Sequence, residues 1–190
     1  MMKAKYLFVF MVIAALSGCN NALFKNMDIL KKDSSQILTL KGCGDDIKVS
    51  NKSTPPDLYQ GMVKCINNRH YNNGVILFSL AGTYSYFDVT RMADATKKNI
   101  HTHLLAKAMN SVDDEDKSKR EAFREKLQQT LSDKVRLVEV CAQVRNIGMP
   151  HYSPDYINTS GTFVNYDPNN DIDQSTHWQN ALQGYLHCPP

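Results

Sequence analysis

Tyr71-Asn72-Asn73-Gly74-Val75-Ile76-Leu77-Phe78-Ser79-Leu80-Ala81 is the stretch on which the fold class turns. Val75 to Ala81 is apolar on every face, so no wet side separates from a dry one. Such a segment is buried all round. It reads as a buried helix, with a buried strand as the alternative, because Val75-Ile76-Leu77-Phe78 also suits a sheet. Just upstream, Thr54-Pro55-Pro56-Asp57 is a helix start. Threonine caps, proline is tolerated in the first turn and aspartate suits the positive end of the helix dipole. Leu58, Met62, Cys65 and Ile66 follow at helical spacing, and Asn67-Asn68 and Asn72-Asn73-Gly74 punctuate the region.

Tyr71, Gly74, Val75, Phe78 and Ala81 resemble the pattern of a tetratricopeptide helical hairpin, with Gly74 where alanine is usual. The resemblance favours the helix over the strand. It covers one unit of about 25 residues, whereas a stable array takes about three. The expectation is therefore a local αα-hairpin inside an ordinary helical domain.

On the N-terminal side, Ile37 to Leu40 is a short apolar run ending at Gly42-Cys43-Gly44, and Asp45 to Thr54 is polar enough to read as a loop. Downstream, Gly82 to Asp94 gathers Tyr84, Tyr86, Phe87, Val89 and Met92, an aromatic cluster suited to a core. Helices are predicted over Ala93–Met109, from Asp113–Asp116 to Ser132, and over Lys134–Ile147. Phe123, Leu127 and Leu131 form the stripe of the second, and Leu137, Val138, Cys141 and Val144 face inward on the third. Gly148 and Pro150 stop it. Residues 150–175 are loop chemistry, with a short strand at Thr162-Phe163-Val164, and a last helix runs from about Ser175 to His187 with Trp178, Leu182 and Tyr185 or Leu186 inward. The predicted fold is mainly α: a compact helical domain of about six helices, with the αα-hairpin, an irregular C-terminal portion and two disulfides.

The N-terminus carries an address. Lys3 and Lys5 precede the apolar run Tyr6–Leu16, which is shorter than the roughly 20 residues a bilayer span needs. Ser17-Gly18 then lead into Cys19. A basic start, a short apolar segment and a small-residue cleavage site make a secretory signal. With the cysteine in place, Leu16-Ser17-Gly18-Cys19 resembles the bacterial lipobox. The resemblance implies removal of residues 1–18 and attachment of lipid to Cys19, anchoring the chain to the membrane. Residues 19–35 form a lipidated tether, and 36–190 a single helical periplasmic domain. Asn20, where an aspartate favours inner-membrane retention in enteric lipoproteins, points to the outer membrane facing the periplasm.

Four of the five cysteines then remain, Cys43, Cys65, Cys141 and Cys188. In an oxidising compartment an even number implies disulfides, and four allow three pairings. Chain proximity favours Cys43–Cys65 and Cys141–Cys188. The formal charge of +3 includes Lys3 and Lys5, which leave with the signal. A nearly neutral mature chain has no electrostatic footprint for nucleic acid.

Catalytic patterns do not emerge. His101 and His103 are two apart on a predicted helix and point away from each other. His151, His177 and His187 lie in or beside the late loops, and no HExxH occurs. Asp167, Asn169, Asp171 and Asp173 alternate like the start of a calcium loop, but Ile172 occupies the glycine position and Trp178 the place of the bidentate glutamate. No GxSxG, CxxC or phosphate-binding glycine loop is present, and Asp45-Asp46 and Asp113-Asp114 sit in solvated runs. The expectation is a non-catalytic chain without metal or cofactor. Tyr152, Tyr156, Phe163, Tyr166 and Trp178 are the candidate partner-binding residues, because aromatics dominate interface hot spots. The competing reading is that they cover the end of the helical core.

The layout of lipobox, Leu58–Met62 through Cys65, Leu77–Gly82 and the ending Tyr185-Leu186-His187-Cys188-Pro189 resembles small proteobacterial lipoproteins. Some of these accompany type VI secretion phospholipase effectors as immunity proteins. The resemblance implies a periplasmic protein whose partner is a secreted lipase effector. The alternative is an envelope assembly or scaffold lipoprotein docking on an outer-membrane machine.

Overall fold

The computed structural model describes residues 36–92, 99–113, 115, 117–157 and 171–190, the last segment without the side chains of Asp171 and Ile172. The expected signal segment, the lipobox-like stretch with Cys19, the expected tether and Thr162–Val164 strand, Phe163, Tyr166 and the first half of the alternating acidic stretch lie outside the described residues.

The domain opens with a two-stranded antiparallel hairpin, β1 (Leu38–Cys43) and β2 (Asp45–Val49). Leu38 pairs with Val49, Thr39 with Lys48 and Leu40 with Ile47. The turn uses Gly42 and Gly44, both at positive φ, where glycine alone carries no steric penalty. The polar loop expected over Asp45–Thr54 is thus in part a strand. Asp45, Asp46 and Lys48 mask a period-two pattern in which Val49 is buried and Ile47 packs against the core.

Helix α1 (Pro55–Asn67) begins where Thr54 and Asp57 predict. Thr54 Oγ1 accepts from the Asp57 backbone N–H, and Asp57 Oδ2 accepts from the Thr54 N–H at 3.3 Å, a complete capping box. Leu58, Met62, Cys65 and Ile66 are buried. The chain reverses through Asn68-Arg69-His70, with Arg69 at φ +59°. The Arg69 N–H reaches back to Ile66 O at 2.9 Å and the His70 N–H to Cys65 O at 2.8 Å, satisfying carbonyls the helix end would orphan.

Helix α2 (Tyr71–Thr90) is the axis of the domain. Val75, Leu77, Leu80, Ala81, Tyr84 and Phe87 are buried, and so are Ser79, Thr83, Ser85 and Asp88. It settles the helix-or-strand ambiguity at Val75–Phe78 and completes the αα-hairpin with α1. It also absorbs the aromatic cluster that begins at Gly82. Because neighbours cover every face, the aromatics extend the helix instead of ending it.

Helices α3 (Ile100–Asn110), α4 (Ser118–Ser132), α5 (Lys134–Ile147) and α6 (Asp171–Gly184) complete the order. All four pack on α2, α4 and α6 most extensively, and α3 lies more along α1 than along α2. Asp133 ends α4 and caps α5, its Oδ1 accepting from the N–H groups of Val135 at 2.9 Å and Arg136 at 3.0 Å. The inner face of α5 is Val140, Cys141, Val144 and Ile147, with Leu137 half-buried. Val138 is 48% exposed, a correction to its expected inward position. It lies about 130° from the centre of the buried face at the helical repeat of 3.6 residues.

Two disulfides fasten the domain. Cys43–Cys65 ties the hairpin to α1, and Cys141–Cys188 ties the C-terminal tail to α5. The Arg145 guanidinium adds a hydrogen bond to the Pro189 carbonyl. Among the described residues no helix is long and apolar enough to cross a membrane.

Candidate functional site

Two polar constellations and one groove hold the side chains with chemistry to offer. The first is built on Asp88, in the last turn of α2 and fully buried. A lone carboxylate at such a place must be paired. Arg91, three residues on and 5% exposed, donates Nη2 to Asp88 Oδ1 at 3.0 Å. Its guanidinium also lies over the Phe87 ring, 4.0 Å from the centroid, a cation–π contact.

Two tyrosines from the irregular C-terminal portion close the site. Tyr152 and Tyr156 each donate a hydroxyl to Asp88 Oδ2 at 2.8 Å. Tyr156 lies on a single 3₁₀ turn, Asp155–Ile157. Tyr84 donates to the Gly148 carbonyl at 2.8 Å and packs against Tyr152 and Trp178, with both centroid separations 5.9 Å. Burial pushes the Asp88 carboxyl up from its ordinary value, while Tyr156, Tyr152 and Arg91 pull it back. The arrangement is a clasp: one carboxylate holds the segment after α5 onto α2.

The second constellation joins α1, α3 and the C-terminal end. Tyr59 Oη is 2.6 Å from His101 Nδ1, and Tyr185 Oη is 3.2 Å from Nε2. A neutral imidazole donates through one ring nitrogen and accepts through the other, so His101 bridges the two phenols, accepting from one and donating to the other. Half-burial holds the imidazole below its usual value, and burial pushes both phenols up.

Tyr59 also lines a groove of about 470 Å³ between α1 and α3. Val63, Leu104 and Ala108 make its walls apolar, and Lys64 and Lys107 stand at its rim.

Of the five aromatics singled out in the sequence, Tyr152 and Tyr156 meet at Asp88, with ring centroids 6.4 Å apart. Trp178 is only 8% exposed and packs edge-on to Phe87. These three make contacts inside the fold, Trp178 buried and Tyr152 and Tyr156 part-buried. Phe163 and Tyr166 lie outside the described residues. The histidines scatter. His103, His151 and His187 are exposed, and His177 Nε2 lies 3.3 Å from Asp173 Oδ1 on its own helix. Among the described residues no three His, Cys, Asp or Glu side chains gather as a metal site would require. The sequence reading missed Asp88, Arg91 and the role of His101. A signal for the first two was present: a lone acid between Phe87 and Val89, with an arginine at i+3, is the pattern of a buried pair. No protein-family model matches the chain, and neither a curated protein nor a solved structure matches it.

Proposed function

We propose that this chain is a non-catalytic, lipid-anchored protein of the bacterial envelope that binds another protein, and that it neutralises a phospholipase effector delivered by type VI secretion. The observation that carries the reading is how the cysteines are used. Cys43, Cys65, Cys141 and Cys188 pair within the folded domain, while Cys19 stands apart behind Leu16-Ser17-Gly18. Paired cysteines suit an oxidising compartment, and the basic, apolar, small-residue leader supplies the export signal that reaches one. A domain clasped at Asp88 and stapled twice presents its surface in a fixed arrangement, which lowers the ordering cost of binding a partner.

The test is retrieval of the tagged, lipidated protein from detergent-solubilised envelopes, with associated proteins identified by mass spectrometry. A secreted lipase in stoichiometric amount, together with protection of sensitive cells from that lipase, is expected. Recovery of envelope machinery without protection would replace the immunity reading with a scaffold role. Labelling by a fatty-acid probe should vanish in Cys19→Ser, and persistent labelling would remove the lipid anchor from the proposal.

A further inference from the structure

The groove between α1 and α3 combines apolar walls with two exposed lysines. Tyr59, Val63, Leu104 and Ala108 line it. Lys64 projects from α1 and Lys107 from α3, and both are exposed. Among the described residues neither ammonium group has an ion-pair or hydrogen-bond partner, and no carboxylate lines the groove. Apolar surface flanked by cations of one sign selects a ligand that is apolar in the middle and acidic at its edges.

We infer that the α1–α3 groove docks an amphipathic helix of the protein partner, one that presents apolar side chains flanked by carboxylates. A furrow between two helices suits a helix laid into it, read out by side chains one turn apart. Two cations on separate helices answer charges spread along a segment better than the single head of an acyl chain. The chain's own tether answers them less well, because Lys25, Lys31 and Lys32 outnumber Asp28 and Asp33 over residues 20–35. The inference rests on the protein-binding reading above and adds to it the face used and the chemistry of the partner.

The experiment titrates the full lipidated protein, held in nanodiscs, with two synthetic amphipathic peptides. Both carry leucines one helical turn apart; one is flanked by glutamates and its twin by lysines. The glutamate peptide is expected to bind about tenfold tighter, and Lys64→Glu with Lys107→Glu should reverse the preference, with the difference shrinking as salt rises. Both lysines are exposed, so the double variant should fold, and matching thermal melts check this. Equal affinity for the twins, or a preference that survives the charge reversal, would overturn the inference. So would peptide binding that appears only after residues 20–35 are replaced by a glycine-serine linker, since the tether would then be the occupant. Displacement of the peptide by a lysophospholipid but not by excess glutamate peptide would reassign the groove to lipid. If a retrieved lipase binds the double variant as tightly as the wild type, immunity stands and the groove assignment falls. If the peptides discriminate but no lipase is retrieved, the groove stands and the lipase falls.

Discussion

The Tyr185 ring and hydroxyl lie across Gly82, in the space that a β-carbon there would need. The relationship is repeated in reverse: a β-carbon on Gly184 would come 3.1 Å from the Tyr86 hydroxyl. The two tyrosine rings sit 6.3 Å apart. Helix α2 and the end of α6 thus approach through two glycines, each covered by a tyrosine from the other element. Gly82→Ala should destabilise the domain by about 1–3 kcal/mol through overpacking, although alanine is the better helix former by about 1 kcal/mol. Gly184→Ala meets only the far end of Tyr86 and should cost less. Urea midpoints measure both. Tyr185→Phe should not rescue Gly82→Ala, because ring carbons as well as the oxygen fill the space. An unchanged midpoint in Gly82→Ala would show that the ring moves aside freely.

That close approach shows where the sequence was legible and where it was not. The capped start of α1, the all-apolar centre of α2 and the stop after α5 are local signals, written within a few residues of one another. Cysteine pairing by proximity worked because each pair lies within one half of the chain. The Asp45–Val49 strand was hidden because its solvent face is charged. Asp88 and His101 were harder still. Their partners come from 64 and 68 residues away for Asp88, and from 42 and 84 away for His101. No periodicity reports which distant tyrosine meets a given acid, since that depends on how the helices stack.

His101 should make the domain sensitive to mild acid. Burial lowers its value below the ordinary 6.5, so the unfolded chain takes up a proton at a pH where the native imidazole resists it. The contribution is complete above about pH 6.5 and is lost as the pH falls through the depressed native value. Urea midpoints should therefore decline on acidification, and His101→Phe should flatten that slope. The same variant leaves the Tyr59 hydroxyl without its partner, a cost of about 1–3 kcal/mol at neutral pH. A His101 titration by NMR that ran at or above the ordinary value would contradict the prediction.

The two disulfides should differ in worth by what they close. Cys43–Cys65 spans 22 residues and Cys141–Cys188 spans 47. On the chain-entropy account their loss costs about 3.4 and about 4 kcal/mol respectively. Paired Cys→Ala variants should show that order in urea. In the unfolded, unreduced protein Cys43, Cys65, Cys141 and Cys188 should also not react with a maleimide probe. Reactive thiols in that state would mean that the pairs do not form.

The clasp at Asp88 is expected to be sensitive to substitution. Asp88→Asn keeps the shape but puts an amide NH2, which cannot accept, in place of one of the two oxygens that take hydrogen bonds from Arg91, Tyr152 and Tyr156, and a buried donor left unsatisfied costs about 1–3 kcal/mol. Tyr152→Phe and Tyr156→Phe each remove one donor to the same Oδ2 atom, at about 1.5–3 kcal/mol apiece. Their effects should not add, because the two hydroxyls share one acceptor. The pH dependence runs opposite to that of His101. Burial raises Asp88 above its ordinary 3.8, so the native state holds that proton more firmly than the unfolded chain. The resulting stability is fully present below about pH 3.8 and is lost as the pH rises through the raised native value. The wild type minus Asp88→Asn difference in unfolding free energy should therefore widen as the pH falls through that window. A difference that narrows instead would mean that Tyr152, Tyr156 and Arg91 together outweigh the cost of burial and hold Asp88 ionised.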